Sequence, residues 1–152
     1  MTFGDGMTVG AGAFSGRRLA ARGKILVADS APATRKLLVG LLQARGFEVD
    51  LVADGEAVLS HTARDCYSAL ILEVHLPECD AFGVLQALRR RPEGDRLPVL
   101  AICDRPLEVD EYRALRVLGA SAFIEKRSLE DEVIERVELL ASDNEVAVSL
   151  VG

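Results

Sequence analysis

The sequence predicts an α/β fold in which a doubly wound, five-stranded parallel sheet carries five helices. Short, nearly all-apolar runs recur along the chain, such as Ile25-Leu26-Val27-Ala28, Ala69-Leu70-Ile71-Leu72 and Val99 to Cys103. Runs of this kind read as strands covered on both faces. Between them lie stretches whose apolar residues fall at helical spacing. The two patterns alternate strand then helix from Lys24 onward, which is the signature of right-handed crossovers onto a parallel sheet.

Residues 1–23 are glycine-rich, lack apolar periodicity and read as a flexible tail. Gly10 to Gly16 has the wrong spacing for a dinucleotide fingerprint, and no strand precedes it. Arg17-Arg18 is not followed by the apolar stretch an export signal needs. The first strand starts at Lys24 and ends at Asp29. Pro32 suits the first turn of the helix that follows. That helix shows Leu37, Leu38, Leu41 and Leu42 on one stripe, and Gly46 ends it. Val49 to Ala53 reads as the second strand. Asp54-Gly55 turns into a helix through Ala57, Val58 and Ala63.

The third strand, from Ala69, ends in Glu73, and a loop with Pro77 follows. The next helix uses Phe82, Leu85 and Leu88. Arg89-Arg90-Arg91 closes it and reads as a solvated helix end, where cations suit the dipole. Val99 to Cys103 is the fourth strand. A helix over Leu107 to Leu118 ends at Gly119. Ala122-Phe123-Ile124 is the fifth strand, ending near Lys126. Ser128-Leu129-Glu130-Asp131 resembles a capping box opening a helix with Val133, Val137 and Leu140 inward. The domain is expected over 24–141, and 142–152 reads as a C-terminal tail or an edge strand.

Composition narrows the functional classes. With 18 basic and 24 acidic residues the net charge is -6, which argues against a nucleic-acid partner. No apolar run approaches the roughly 18–20 residues of a membrane span, so no membrane role is expected. Cys66, Cys79 and Cys103 are widely spaced and odd in number, and they form neither a disulfide framework nor a zinc site. A reducing, cytoplasmic setting follows.

Functional groups in parallel α/β sheets gather at the carboxyl ends of the strands. Those ends carry Asp29, Glu73, Cys103 and Lys126. With these positions in hand, the chain resembles the receiver domain of two-component response regulators, a CheY-like, flavodoxin-like fold. The resemblance rests on Lys24 to Ser30, on Leu70 to Phe82 with its Pro77 loop, on Pro98 to Cys103, and on Gly119-Ala120-Ser121-Ala122-Phe123-Ile124-Glu125-Lys126. It implies strand order 2-1-3-4-5 and, in a working member, magnesium-dependent phosphorylation of an aspartate.

Position by position, the chemistry departs from that pattern. Asp29 stands at the first acidic position, but Ser30 replaces the second, and a hydroxyl is a poor substitute for a magnesium ligand. Asp29, Glu73 and Lys126 sum to -1, against -2 for the family set. Glu73 stands at the phosphoacceptor position, with its carboxylate roughly 1 Å farther out, a displacement that can cost about 10²-fold in rate. His75 falls where the family offers a backbone carbonyl to the metal, and its side chain reads as a solvent-facing loop residue. Cys103 replaces the switch hydroxyl, and a thiol donates weakly. Phe123 keeps the aromatic that turns inward or outward with activation in the family. Lys126 is retained, and its contact with Glu73 is expected to be either a fixed switch or a structural ion pair.

The expectation is therefore a degenerate, pseudo-receiver type of signalling domain, not an enzyme, acting through protein partners without aspartyl phosphorylation and without a cofactor, magnesium at most weakly held. Two alternatives remain: an active magnesium-dependent phosphoacceptor, and a small-ligand-binding domain using the same crevice. By analogy with the family, partners or a homodimer would use the face of the fourth helix, fifth strand and fifth helix. Tyr112, Arg113, Arg116, Phe123 and Glu135 are the interface candidates there.

Overall fold

The computed structural model describes residues 22–151. The tail expected over 1–23 lies outside the described residues except for Arg22 and Gly23. These two are tied to the domain: Arg22 N donates to Gly46 O at 2.9 Å, and Gly23 O accepts from Glu48 N at 2.9 Å.

Five strands form the sheet: β1 (Lys24–Ala28), β2 (Glu48–Val52), β3 (Ala69–Glu73), β4 (Val99–Cys103) and β5 (Ala120–Glu125). All are parallel, in the order β2-β1-β3-β4-β5. The helices are α1 (Pro32–Gln43), α2 (Gly55–Arg64), α3 (Ala81–Arg89), α4 (Val109–Val117) and α5 (Leu129–Val151). The predicted topology is the observed one.

Residue alternation sorts the core into two layers. Ile25, Val27, Ala69, Ile71, Leu100, Ile102 and Ile124 face α1 and α5, packing with Leu38, Leu42, Val133 and Val137. Leu26, Leu70, Leu72, Ala101 and Cys103 face α2, α3 and α4, packing with Val58, Val84, Leu85, Leu88 and Leu115. The central strands β3 and β4 are buried along their whole length, which is why they read as unbroken apolar runs. Edge strand β2 reads as an alternating Glu-Val-Asp-Leu-Val, because only part of it is covered.

Two helix ends depend on glycine. Gly46 (φ 92°) and Gly119 (φ 95°) sit in the left-handed region after α1 and α4, where a side chain is strained. At Gly119 a Cβ would also lie 2.7 Å from the Arg89 guanidinium.

Three readings need correction. The segment from 142, read as a tail or an edge strand, continues α5 as helix to Val151. Its alternation of small apolar residues fits either period, and continuity with a helix already formed decides it. Ser128 does not open α5 as a capping box; a 3-10 turn over Lys126–Ser128 leads into the helix. The reciprocal pattern lies instead at α4, where Glu108 N donates to Glu111 Oε1 at 2.9 Å. Finally, Arg89 and Arg91 are not simply a solvated helix end; both are partly buried. Arg89 donates to the carbonyls of Leu118, Gly94, Leu97 and Gly119 at 2.7–3.1 Å, and Arg91 to that of Leu59 at 2.9 Å. The guanidinium fork fits several carbonyls at once, so the helix end is a knot between loops.

Candidate functional site

The site forms at the carboxyl ends of the strands, where β1 and β3 end as neighbours and the chain leaving β5, one strand beyond β4, reaches across to them. Asp29 follows β1 directly, Glu73 is the last residue of β3, and Lys126 follows β5. Parallel pairing in register brings these tips together, although the three residues are 53 or more positions apart where Lys126 meets the carboxylates.

Lys126 Nζ lies 3.0 Å from Asp29 Oδ2 and 3.1 Å from Oδ1. It lies 3.2 Å from Glu73 Oε2. The other Glu73 oxygen, Oε1, accepts from both the backbone N–H and the hydroxyl of Ser30, each at 2.9 Å. Asp29 Oδ1 also accepts from Ala31 N at 2.8 Å. Asp29 is fully buried and Glu73 nearly so. Asp29 Oδ2 accepts no well-aligned hydrogen bond, so its contact with Lys126 is an ion pair held by charge, not by directional bonding.

The pairing shifts its members unequally. Burial pushes the Asp29 carboxyl above its ordinary range, outweighing the Ala31 N–H and Lys126, and the nearby Glu73 charge adds to the rise. At Lys126 burial pulls the other way, but the hydrogen bond from Lys126 to Asp29 and the charges of both carboxylates outweigh it, so its pKa rises.

The family chemistry implies a divalent cation at this place. The donor set does not fit one. Each carboxylate oxygen of Asp29 and Glu73 already faces Lys126, Ser30 or Ala31. The ammonium is itself the counter-charge, and a metal would have to displace it. Ser30 adds no charge to attract one.

Cys103 is buried and its Sγ donates to Ile124 O at 3.8 Å, toward β5. Burial, with the charges of Glu125 and Asp104, pushes its thiol pKa up, the reverse of what a reactive cysteine needs. His75 is not simply a solvent-facing loop residue. Its Nε2 lies 3.1 Å from Glu111 Oε2 and 3.0 Å from Arg105 Nη2. Arg105 also bonds both Glu111 oxygens at 3.2 Å. The Arg105 hydrogen bonds, with those from the Glu108 N–H and His75, hold the Glu111 carboxyl down to about 2. The cluster ties the loop after β3 to the first turn of α4. Sequence reasoning missed Glu111 and Arg105; the only signal was the acidic residue three places after Glu108.

Among the interface candidates, Tyr112 and Phe123 pack with ring centroids 4.7 Å apart and planes tilted by 41°. With Arg113, Leu107, Val109 and Cys103 they line an open groove of about 550 Å³ between α4 and β5. Arg116 folds back on the carbonyls of Ala120 and Ser121 at 3.5 and 3.3 Å. Glu135 does not belong to this face; it lines the groove between α1 and α5. The residues of α5 turned toward β5 include Arg136, which donates to Phe123 O at 3.5 Å.

Known proteins share this architecture. The response regulator MprA of Mycobacterium leprae (strain TN) is 34% identical over 117 residues, covering 77% of this chain and 50% of that protein. The phosphate regulon transcriptional regulatory protein PhoB of Rhizobium meliloti (strain 1021) is 32% identical over 117 residues, with 77% and 51% covered. The chain spans about half the length of these two relatives. Among solved structures, a sensor protein from Polaromonas sp. JS666 superposes with a TM-score of 0.74 at 25% identity, covering 81% of this chain and 98% of that one. The receiver domain of a sensor histidine kinase from Pseudomonas aeruginosa PAO1, which has a magnesium ion in its active-site cleft, gives a TM-score of 0.72 at 23% identity, covering 79% and 98%. The family description of the response regulator receiver domain matches residues 25–138. That match takes in the apolar core of every strand and the packed half of α5, so the chain belongs to the response regulator receiver domain family.

Proposed function

We propose that this domain acts in two-component signalling as a pseudo-receiver, passing its signal by protein contact with the phosphorylation pocket closed by its own side chains. One observation carries the reading: Lys126 holds Asp29 and Glu73 together while Ser30 occupies the remaining Glu73 oxygen. An acceptor carboxylate needs a free oxygen to attack phosphorus, and cations to balance the charge that builds up there. Here the free oxygen is bonded and the cation is an amine of the chain. Cys103, turned to a backbone carbonyl, is a weak partner for a phosphoryl oxygen.

The contact surface in this reading is the α4–β5 groove, with Tyr112, Arg113 and Phe123 at its centre and Val109 exposed at its edge. Aromatic and arginine side chains around an apolar floor suit a protein interface. The three free cysteines fit a reducing cytoplasm.

The test is incubation with acetyl phosphate and magnesium, followed by intact-mass measurement, with a parallel beryllofluoride titration watched at Tyr112 and Phe123 by NMR. The expected outcome is no added phosphoryl group and no shift of either ring. A mass gain that disappears in Glu73→Gln would overturn the reading.

A further inference from the structure

Helix α4 is held differently at its two ends. Leu115, toward its C-terminus, is its one buried side chain, whereas α3 buries Ala81, Val84, Leu85 and Leu88. The chain just after Leu115 is also tied down by hydrogen bonds. Arg116 reaches the carbonyls of Ala120 and Ser121, and Arg89 takes those of Leu118 and Gly119 at 2.9 and 3.1 Å. The N-terminal half buries no side chain of its own. Val109 and Tyr112 keep 63% and 45% of their surface in water, and the Tyr112 ring rests against Phe123 at the edge of the sheet.

What holds this half is ionic. Glu111, in the first turn, accepts from Arg105 through both oxygens at 3.2 Å and faces His75 Nε2 at 3.1 Å. Arg105 Nη2 closes the triangle, 3.0 Å from the same His75 nitrogen. His75 is the fixed post of the cluster. Val74 and Leu76 on either side of it are buried, and Val74 N donates to Ile102 O at 2.9 Å. All three latch side chains are partly exposed, so dissolved ions reach them. None of the three lines the α4–β5 groove, yet the half-helix they hold is one wall of it: Val109, Tyr112 and Arg113 face Phe123 and Ile124 across the gap.

We infer that His75, Arg105 and Glu111 form a latch that sets the width of the α4–β5 groove. Closed, it clasps the first turn of α4 to the loop after β3. Open, the helix turns about its C-terminal anchor, Tyr112 leaves Phe123, and the gap above Ile124 widens. An exposed ionic cluster contributes little to stability, which suits a contact that opens and closes. The latch ends on a residue two places past Glu73, so it joins the pocket loop to the groove by a route that bypasses Cys103. Its use rests on the reading of this groove as the contact surface, since the latch decides how much of that surface a partner meets.

The experiment follows amide hydrogen exchange by NMR in the full chain, at two helical N–H groups. Tyr112 N, beside the latch, bonds Glu108 O, and Leu118 N, beside the anchor, bonds Ala114 O. The ring signals of Tyr112 and Phe123 are read alongside. His75→Ala and Arg105→Gln alter neither α4 nor the groove lining. Each should speed exchange at Tyr112 about two- to fivefold, the scale of an exposed ionic contact, leave Leu118 unchanged and shift both ring signals. Raising salt to about 1 M, where screening acts beyond about 3 Å, should do the same to the unmodified chain and nothing further to Arg105→Gln. Unchanged exchange at Tyr112 in both variants would overturn the inference. So would equal acceleration at Leu118, which would make the cluster a general support of the fold, and so would ring signals that stay in place. These readouts need neither a phosphoryl donor nor a partner, so a mass gain with acetyl phosphate would sink the pseudo-receiver reading and leave the latch standing.

Discussion

One methylene group separates Glu73 from the aspartate of the family pattern, and at this position it changes what the oxygens can touch. The longer arm meets Ser30 on one side and Lys126 on the other. The energetic consequences are testable through Asp29 and Lys126. Asp29 has its native pKa raised above the unfolded value of 3.8, with burial as the largest cause. Its contribution to stability is then complete below pH 3.8 and is lost as pH rises through the elevated native value. Asp29→Asn should remove that loss, leaving a variant whose stability at pH 7 is higher and whose pH dependence above pH 3.8 is flatter, as measured by urea unfolding across a pH series. Lys126 has its pKa raised above 10.5, so its contribution is complete at neutral pH and is lost only as pH climbs through the raised value. Removing it strands two carboxylates. Lys126→Ala should cost about 2 kcal/mol at pH 7, less than the 3–5 kcal/mol of a fully enclosed pair, because the lysine side chain keeps 20% of its surface in water. The loss should shrink toward acid pH, where Asp29 takes up a proton; a loss independent of pH would contradict the ion-pair geometry.

Among the elements, the end of α3 shows how a charge run misleads. Arg89-Arg90-Arg91 has the composition of a solvated helix terminus, yet Arg89 gathers carbonyls from the loop before β4 and from the loop before β5. These carbonyls lie 5 to 30 positions away in the sequence, so no local pattern announces them. Arg89→Ala leaves several partly buried acceptors without a donor. Hydrogen bonds to charged groups are each worth about 1.5–3 kcal/mol, so the loss should reach at least about 3 kcal/mol in urea unfolding. Arg89→Lys should recover only part of it, because a point charge cannot satisfy two loops from one planar fork. At the other layer, α5 continues past Ala141, which packs in the core, to Val151.

For the whole molecule, burial predicts where the fold holds longest. The strands β1, β3 and β4 lie inside the sheet with helices on both faces, whereas β2 and β5 are edges with exposed residues. Local opening is easiest where few apolar contacts must break. Native-state hydrogen exchange should therefore be slowest at Leu26, Ile71 and Leu100 and faster by a wide margin along Glu48–Val52. Equal protection across the sheet would argue against a layered core.

The sequence by itself determined the fold and the chemical cast of the pocket. Strands covered on both faces must be apolar throughout, helices on a sheet must carry a stripe, and parallel order sends the strand tips to one side. Asp29, Glu73, Cys103 and Lys126 were legible for that reason: they follow apolar runs, and position along a strand is a local property. Tertiary structure alone decided which of these groups touch. It put Lys126 between two carboxylates, turned Cys103 to Ile124, joined His75 to Glu111 and Arg105, and moved Glu135 to the α1 side of α5. Those contacts join residues far apart in the chain, and side-chain direction at a distance of dozens of residues is set by how the layers pack, which no period along the chain encodes.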